Sequence, residues 1–406
     1  MFPPGFERDV ETFIHDYIQE VIDAIRNVCD ERLVPIRDDL VRTIMKGGHV
    51  FAFGNGGSHA QADSFLYMLD KSVPDRFSFD GVGCPGMAEL SDTKNDVLFR
   101  RTLMRQGREG DSAILISSSG NSLNILDASK ICRERGIGSC SFSANGRLVT
   151  EPEFIPTHSV IIPLSDQQKL EEVSLAALLV LTHQIGLQLN GKSEDIQTTV
   201  DRYIEEYLEG VDRSINARVL LAVVEDIVSA FENRRVVRVD STVAAGVDQA
   251  QHIAHNLRWD ARDCSTNIQS TLILSGLLAP DITGKTNDGA DGYALAMEVL
   301  ENCRPGDVQI LFTTTRNECR TGRIIQAARE REISLHIFEF GENELLVPAL
   351  AEFAGHLLGR LTNTRVLVGE GKVDSSKAGE WMRTHDLALL RKKDETRARL
   401  ERRFAR

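Results

Sequence analysis

The feature that most restricts what this 406-residue chain can fold into is an internal duplication. REGDSAILISSSGNSLNILDASKICRERGI, from Arg108 to Ile137, lies over RPGDVQILFTTTRNECRTGRIIQAAREREI, from Arg304 to Ile333, with a constant shift and no gap. Upstream, VFAFGNGGSHAQADSFLYML (Val50 to Leu69) pairs with VVRVDSTVAAGVDQAQHIAHNL (Val236 to Leu257) once two residues are inserted in the second turn. The leading segments DYIQEVIDAI, from Asp16, and RYIEEYLEGV, from Arg202, also correspond. Self-similarity on this scale means one structural unit built twice. The expected organisation is a first domain over 1–195, a second over 196–370 and a charged, helical tail over 371–406. Length agrees, since one core rarely serves more than about 250 residues.

Each copy reads as helix, strand, turn, helix, then strand, turn, helix, strand and a closing helix. HVFAF, AILI, VVRV and VQILF are short and continuously apolar, as strands buried on both faces are, and each leads into a helical pattern. Right-handed βαβ crossovers follow. The predicted fold class is α/β: two tandem domains, each an open, doubly wound, flavodoxin-like parallel sheet with helices on both faces. Such sheets bind ligands at the carboxyl ends of their strands.

Composition excludes several functions. With 42% hydrophobic and 26% charged residues the chain is an ordinary globular sequence, and no apolar run stands out as a membrane span. A formal charge of -13 argues against a nucleic-acid partner, which needs a basic face. Seven scattered cysteines without a CxxC spacing read as reduced structural thiols. MFPPGFERDVETF lacks the charged-then-apolar pattern of a signal peptide, so a cytoplasmic location is expected.

The chemistry concentrates in Ser117-Ser118-Ser119-Gly120-Asn121-Ser122, between the strand AILI and a helix opening at Leu123. Hydroxyls and backbone N–H groups at the positive end of a helix dipole form a natural phosphate cradle. Helix capping alone is the plainer explanation, but it does not call for four serines around Gly-Asn. Gly54-Asn55-Gly56-Gly57-Ser58-His59 occupies the same place after the preceding strand and supplies the other lip of the crevice.

GNGGSHAQAD, REGD...ISSSGNS and IPLSDQQKLEEVSLAALLVL together resemble bacterial phosphoheptose isomerase, a family of the SIS fold, over residues 10 to 190 and more faintly over 200 to 365. The resemblance implies conversion of sedoheptulose 7-phosphate to an aldose phosphate. It assigns phosphate binding to Ser58, Ser117, Ser118, Ser119 and Ser122. With Asn55, Gly56, Gly57 and Asn121 these outline the binding site, and it sets Asp92 against the sugar hydroxyls, with Asp288 as the counterpart in the second copy. The family also carries a histidine and a glutamate one turn apart after the first turn, and a glutamine and a histidine eight residues apart on its closing helix. Here those places hold Ser64, Met68, Glu171 and Leu179.

The second copy departs in the complementary way. Its loop reads Thr313-Thr314-Thr315-Arg316-Asn317-Glu318, yet it keeps a histidine at the family's place, His252, with His255 and Asn256 beyond it. Two readings follow. In the first, one composite crevice joins the first copy's phosphate loop to His252, His255 and Glu171 as the proton-transfer groups. No cofactor is required by the sequence, and the metal question stays open, although imidazoles one turn apart suit a divalent ion such as zinc. In the second, the chain binds a phosphosugar without turning it over, as a sensor or scaffold. His183 and His356 read as packing or exposed residues. Relatives with one such domain imply self-association, here as a homodimer that mimics a tetramer.

Overall fold

The computed structural model describes residues 2–72, 98–243, 246–247, 249–254, 257, 273–275, 293–315 and 318–384. Asp92, His255, Asn256, Asp288, Arg316 and Asn317 lie outside these residues, as does the tail beyond Thr384.

Two four-stranded parallel sheets form, one from each copy. The first has the order β1 (Val50–Phe53), β2 (Ser112–Ser117), β3 (Gly138–Ser143), β4 (His158–Ile161). The second comprises β5 (Val237–Ser241), β6 (Ile273–Ser275), β7 (Val308–Thr313) and β8 (Ser334–Glu339), in the order β6-β5-β7-β8. Every residue of β2 and of β7 is buried, which is why these strands carry no alternation. The α/β expectation with parallel sheets therefore holds. β4 and β6 are not among the strands expected from the sequence: they are only 4 and 3 residues long, too short to show a strand period.

The duplication extends to individual hydrogen bonds. Asp111, just before β2, accepts the backbone N–H of His49 at 2.8 Å and of Arg108 at 2.7 Å; Asp307, just before β7, accepts those of Val236 at 2.9 Å and Arg304 at 2.7 Å. This clamp, common to RExD and RPxD, fixes where the two central strands start.

The copies are joined through their cores. The leading helix Phe6–Val28 buries Phe6, Val10, Phe13, Tyr17, Val21 and Ile25, a stripe at helical spacing. One cluster of buried apolar side chains contains this stripe, both closing helices (Gln167–Leu189 and Val347–Gly369) and the second leading helix Ile196–Ser214. Smaller clusters sit under the outer helices of each sheet. Gln167–Leu189 is long and apolar enough to cross a bilayer by length and composition, contrary to the reading of the sequence, but 89% of that apolar window is buried inside the protein. Ala378 and Met382, at the start of the tail, pack into the shared core.

Candidate active site

The serine loop closes over the C-terminal end of β2. Gly120 has a left-handed φ of +64°, and a Cβ there would stand 3.0 Å from the Ala144 carbonyl oxygen, so only glycine suits the turn. Ser117 is buried and donates to Ser122 Oγ at 3.1 Å. Exposed Ser119 accepts the Asn121 N–H at 3.2 Å, and Asn121 Oδ1 accepts that of Arg147 at 3.1 Å. Ser122 stands at the N-cap of the helix Leu123–Arg135, but its hydroxyl makes no capping bond. The loop's hydroxyls are therefore not consumed by capping the helix.

The glycine-rich turn is tied to this loop. Asn55 and Asn124 exchange reciprocal amide hydrogen bonds at 3.0 and 2.8 Å, and Ser58 Oγ lies 3.4 Å from Ser118 Oγ. The two lips thus share a floor formed by Ser58, Ser118 and the closing helix.

That helix brings Glu171 to the floor. Asp166 caps it, accepting the N–H groups of Gln168 and Lys169 at 3.1 and 3.2 Å, and Arg360 of the second closing helix holds Asp166 at 2.5 Å and also donates to Gln168. Glu171 Oε1 accepts from Ser118 Oγ at 3.1 Å and from Gln167 at 3.0 Å. Its Oε2 faces His252 Nε2 at 3.8 Å and His356 Nε2 at 3.6 Å, both from the second copy. Gly57 completes the enclosure: a Cβ there would stand 2.7 Å from both Glu171 Oε2 and His252 Nε2.

The copies cross so that equivalent helices exchange side chains. His252 reaches the first copy's crevice, while Ser64, its equivalent in the first copy, donates to Gln249 of the second at 2.9 Å. Gln61 donates both to the Glu171 carbonyl at 2.8 Å and to Glu352 Oε1 at 2.9 Å. The structure thus gathers Ser58, Ser117, Ser118, Ser122, Glu171 and His252 around one crevice. Met68 and Leu179 are buried and line a cavity with Ser72, His183 and Tyr203, whose lining does not include Glu171 or His252.

His356 is the residue that sequence reasoning undervalued. It is buried, as a packing residue would be, but its Nδ1 lies 2.9 Å from Glu172 Oε1 and its Nε2 points at Glu171. The available signal is the stripe Glu352, His356, Arg360 at four-residue spacing within the otherwise apolar stretch 347–361 of that helix. His183 sits elsewhere, 2.7 Å from Arg202.

Electrostatics bind this cluster. Burial alone would push the Glu171 carboxyl up, but the imidazoles of His252 and His356 outweigh it and hold that carboxyl well below the usual range. Burial disfavours the charged form of His356, yet Glu171 and Glu172 raise its pKa well above the ordinary value. For Glu352 burial wins: it pushes the carboxyl up to about 8, with His356 opposing and Glu171 reinforcing the shift.

A stability effect follows from Glu352. Between 4.5 and about 8 the folded protein keeps a proton that the unfolded chain releases, so stability falls as pH rises through that window. Glu352→Gln removes this loss. Melting temperatures should decline less from pH 6 to pH 8.5 in the variant than in the wild type; parallel curves would contradict the assignment.

Among known proteins, the SIS domain family matches residues 15–142. Phosphoheptose isomerase of Aneurinibacillus thermoaerophilus is 35% identical over 143 residues, spanning 30% of this chain and 70% of the relative. That of Aliarcobacter butzleri is 29% identical over 167 residues, 39% of this chain and 85% of the relative. Whole-chain similarity appears in folds: the C-terminal domain of glucosamine-fructose-6-phosphate aminotransferase from Francisella tularensis superposes with a TM-score of 0.56 at 14% identity, covering 86% of this chain and 95% of that one. Glucosamine-6-phosphate deaminase from Thermotoga maritima gives 0.50 at 12% identity, covering 88% and 96%. At such identities the likeness is one of fold.

Proposed function

The chain belongs to the phosphoheptose isomerase family of SIS-domain proteins, and from that premise we propose that it is an aldose–ketose isomerase acting on sedoheptulose 7-phosphate or a related sugar phosphate, with one composite crevice per chain. The observation that carries this reading is the meeting of Glu171, His252 and His356 beside Ser118 of the phosphate loop. Isomerisation moves a proton between neighbouring carbons and needs a base beside a group that stabilises the enediolate. The first copy lacks the family's pair at Ser64 and Met68; the second copy's imidazoles supply acid–base groups in their stead.

In this reading the phosphate rests on Ser58, Ser117, Ser118, Ser119 and Ser122, with the N–H groups opening the helix at Leu123. The sugar then extends toward Gly57. Glu171, a carboxylate held ionised by two imidazoles, takes the proton from one carbon and passes it to His252, 3.8 Å away, which delivers it to the adjacent carbon and so regains its starting state.

As an alternative to direct proton transfer by Glu171 and His252, a divalent metal such as zinc would fit the same three side chains, which would then act as its ligands. One ligand atom from each of Glu171, His252 and His356 lies within 4.8 Å of the others, and the buried His356 Nε2 has no hydrogen-bond partner. Two imidazoles and a carboxylate are a common donor set. When bound there, a metal would polarise the substrate carbonyl.

Proton NMR of sedoheptulose 7-phosphate in D2O tests the proposal. Enzyme should wash deuterium into the carbon beside the carbonyl and form an aldose phosphate, and chelation should slow both processes if a metal takes part. Protection against melting without any exchange would overturn catalysis in favour of binding alone, the reading to which Ser64, Met68 and Leu179 lend support.

A further inference from the structure

Glu172 sits next to Glu171 on the first closing helix and is buried. It is held by three side chains. Its Oε1 accepts the Tyr17 hydroxyl at 2.7 Å and faces His356 Nδ1 at 2.9 Å, while the Tyr207 hydroxyl reaches Oε2 at 3.4 Å. These three donors come from three helices: the leading helix of the first copy, the leading helix of the second and the second closing helix.

The donor inventory fixes the direction of these bonds. A carboxylate can only accept, so the proton between it and His356 belongs to Nδ1. The other ring nitrogen, Nε2, then faces Glu171 at 3.6 Å with no competing hydrogen-bond partner. A buried ring without such an anchor could rotate about its Cβ–Cγ bond, which would turn the wrong nitrogen to the crevice. Carboxylates that hold the far nitrogen of a working imidazole do this in both metal sites and hydrolytic triads.

We infer that Glu172 is a positioning residue, which pins the Nδ1–H of His356 and so commits Nε2 to the crevice, with Tyr17 and Tyr207 holding Glu172 in turn. The leading helices of both copies thereby reach the site through their phenols, although neither touches the substrate. Its catalytic meaning rests on the isomerase reading; the hydrogen bond itself does not.

The test uses the full chain labelled with 15N-histidine. Wild type should show a far-downfield, slowly exchanging imidazole proton coupled to His356 nitrogen, assigned by its loss in His356→Gln. Glu172→Gln should abolish that resonance and lower both zinc affinity and turnover by about 10- to 100-fold, with KM for the sugar phosphate nearly unchanged. Tyr17→Phe, which removes one donor only, should shift the resonance and reduce turnover less, and it decides the matter if the Glu172 variant does not fold. A folded Glu172→Gln protein that keeps the resonance and wild-type turnover overturns the inference. If wild type shows no proton exchange, the isomerase reading fails by itself while the resonance still reports on the anchor.

Discussion

Gly57→Ala is expected to abolish turnover while leaving the chain folded. Gly57 opens the helix Gly57–Ser72, where alanine is intrinsically preferred to glycine, so the backbone has no local reason to resist. The added methyl would, however, stand 2.7 Å from Glu171 Oε2 and 2.7 Å from His252 Nε2. Both are ends of side chains, so they can withdraw, and their withdrawal is the damage. A displacement of about 1 Å among reacting groups costs on the order of 100-fold in rate. Deuterium wash-in measures turnover, thermal melting checks the fold, and the affinity for inorganic phosphate reports on the loop, which should change far less. Activity within about threefold of wild type would mean that substrate never approaches Gly57.

Much of this arrangement is legible in the sequence, and the reason is range. The duplication, the buried strands and the serine loop are written in contiguous residues, where period and turn chemistry speak directly. Glu171 and His252 were reachable because each stands at a recognisable place in its copy. Their meeting across the copies could be stated only as a requirement of the chemistry. His356 and Glu172 were not reachable in that way. A histidine within PALAEFAGHLLGRL looks like one more buried side chain, and Glu172 beside Glu171 looks like half of a solvated pair. What distinguishes them is the packing of four helices from two copies around one point. The four-residue spacing of Glu352, His356 and Arg360 marks a polar stripe on one helix, but not what that stripe meets.

Glu171→Gln separates the chemistry from the architecture. The amide retains an oxygen that can accept from Ser118 and Gln167, so the link between closing helix and phosphate loop survives. In place of Oε2, however, it presents an NH2 group to His252 and His356. An amide cannot serve as a base at neutral pH, and losing a positioned base costs about 100- to 10,000-fold. Sugar-phosphate affinity should change only a few-fold, because the hydroxyls of the cradle are untouched. Stability should fall too. With its carboxyl held well below the usual range by the two imidazoles, Glu171 contributes stabilisation that is fully present above about 4.5 and lost as pH drops below it. The melting difference between variant and wild type should therefore be largest near neutrality and shrink in acid. The family places glutamine at this position and glutamate at the place of Met68, so the substitution restores the family's closing-helix residue without restoring its base. An inert, folded variant that still binds would show that the base of this chain has moved to Glu171. A variant that exchanges deuterium at the wild-type rate would instead hand that role to the imidazoles of the second copy.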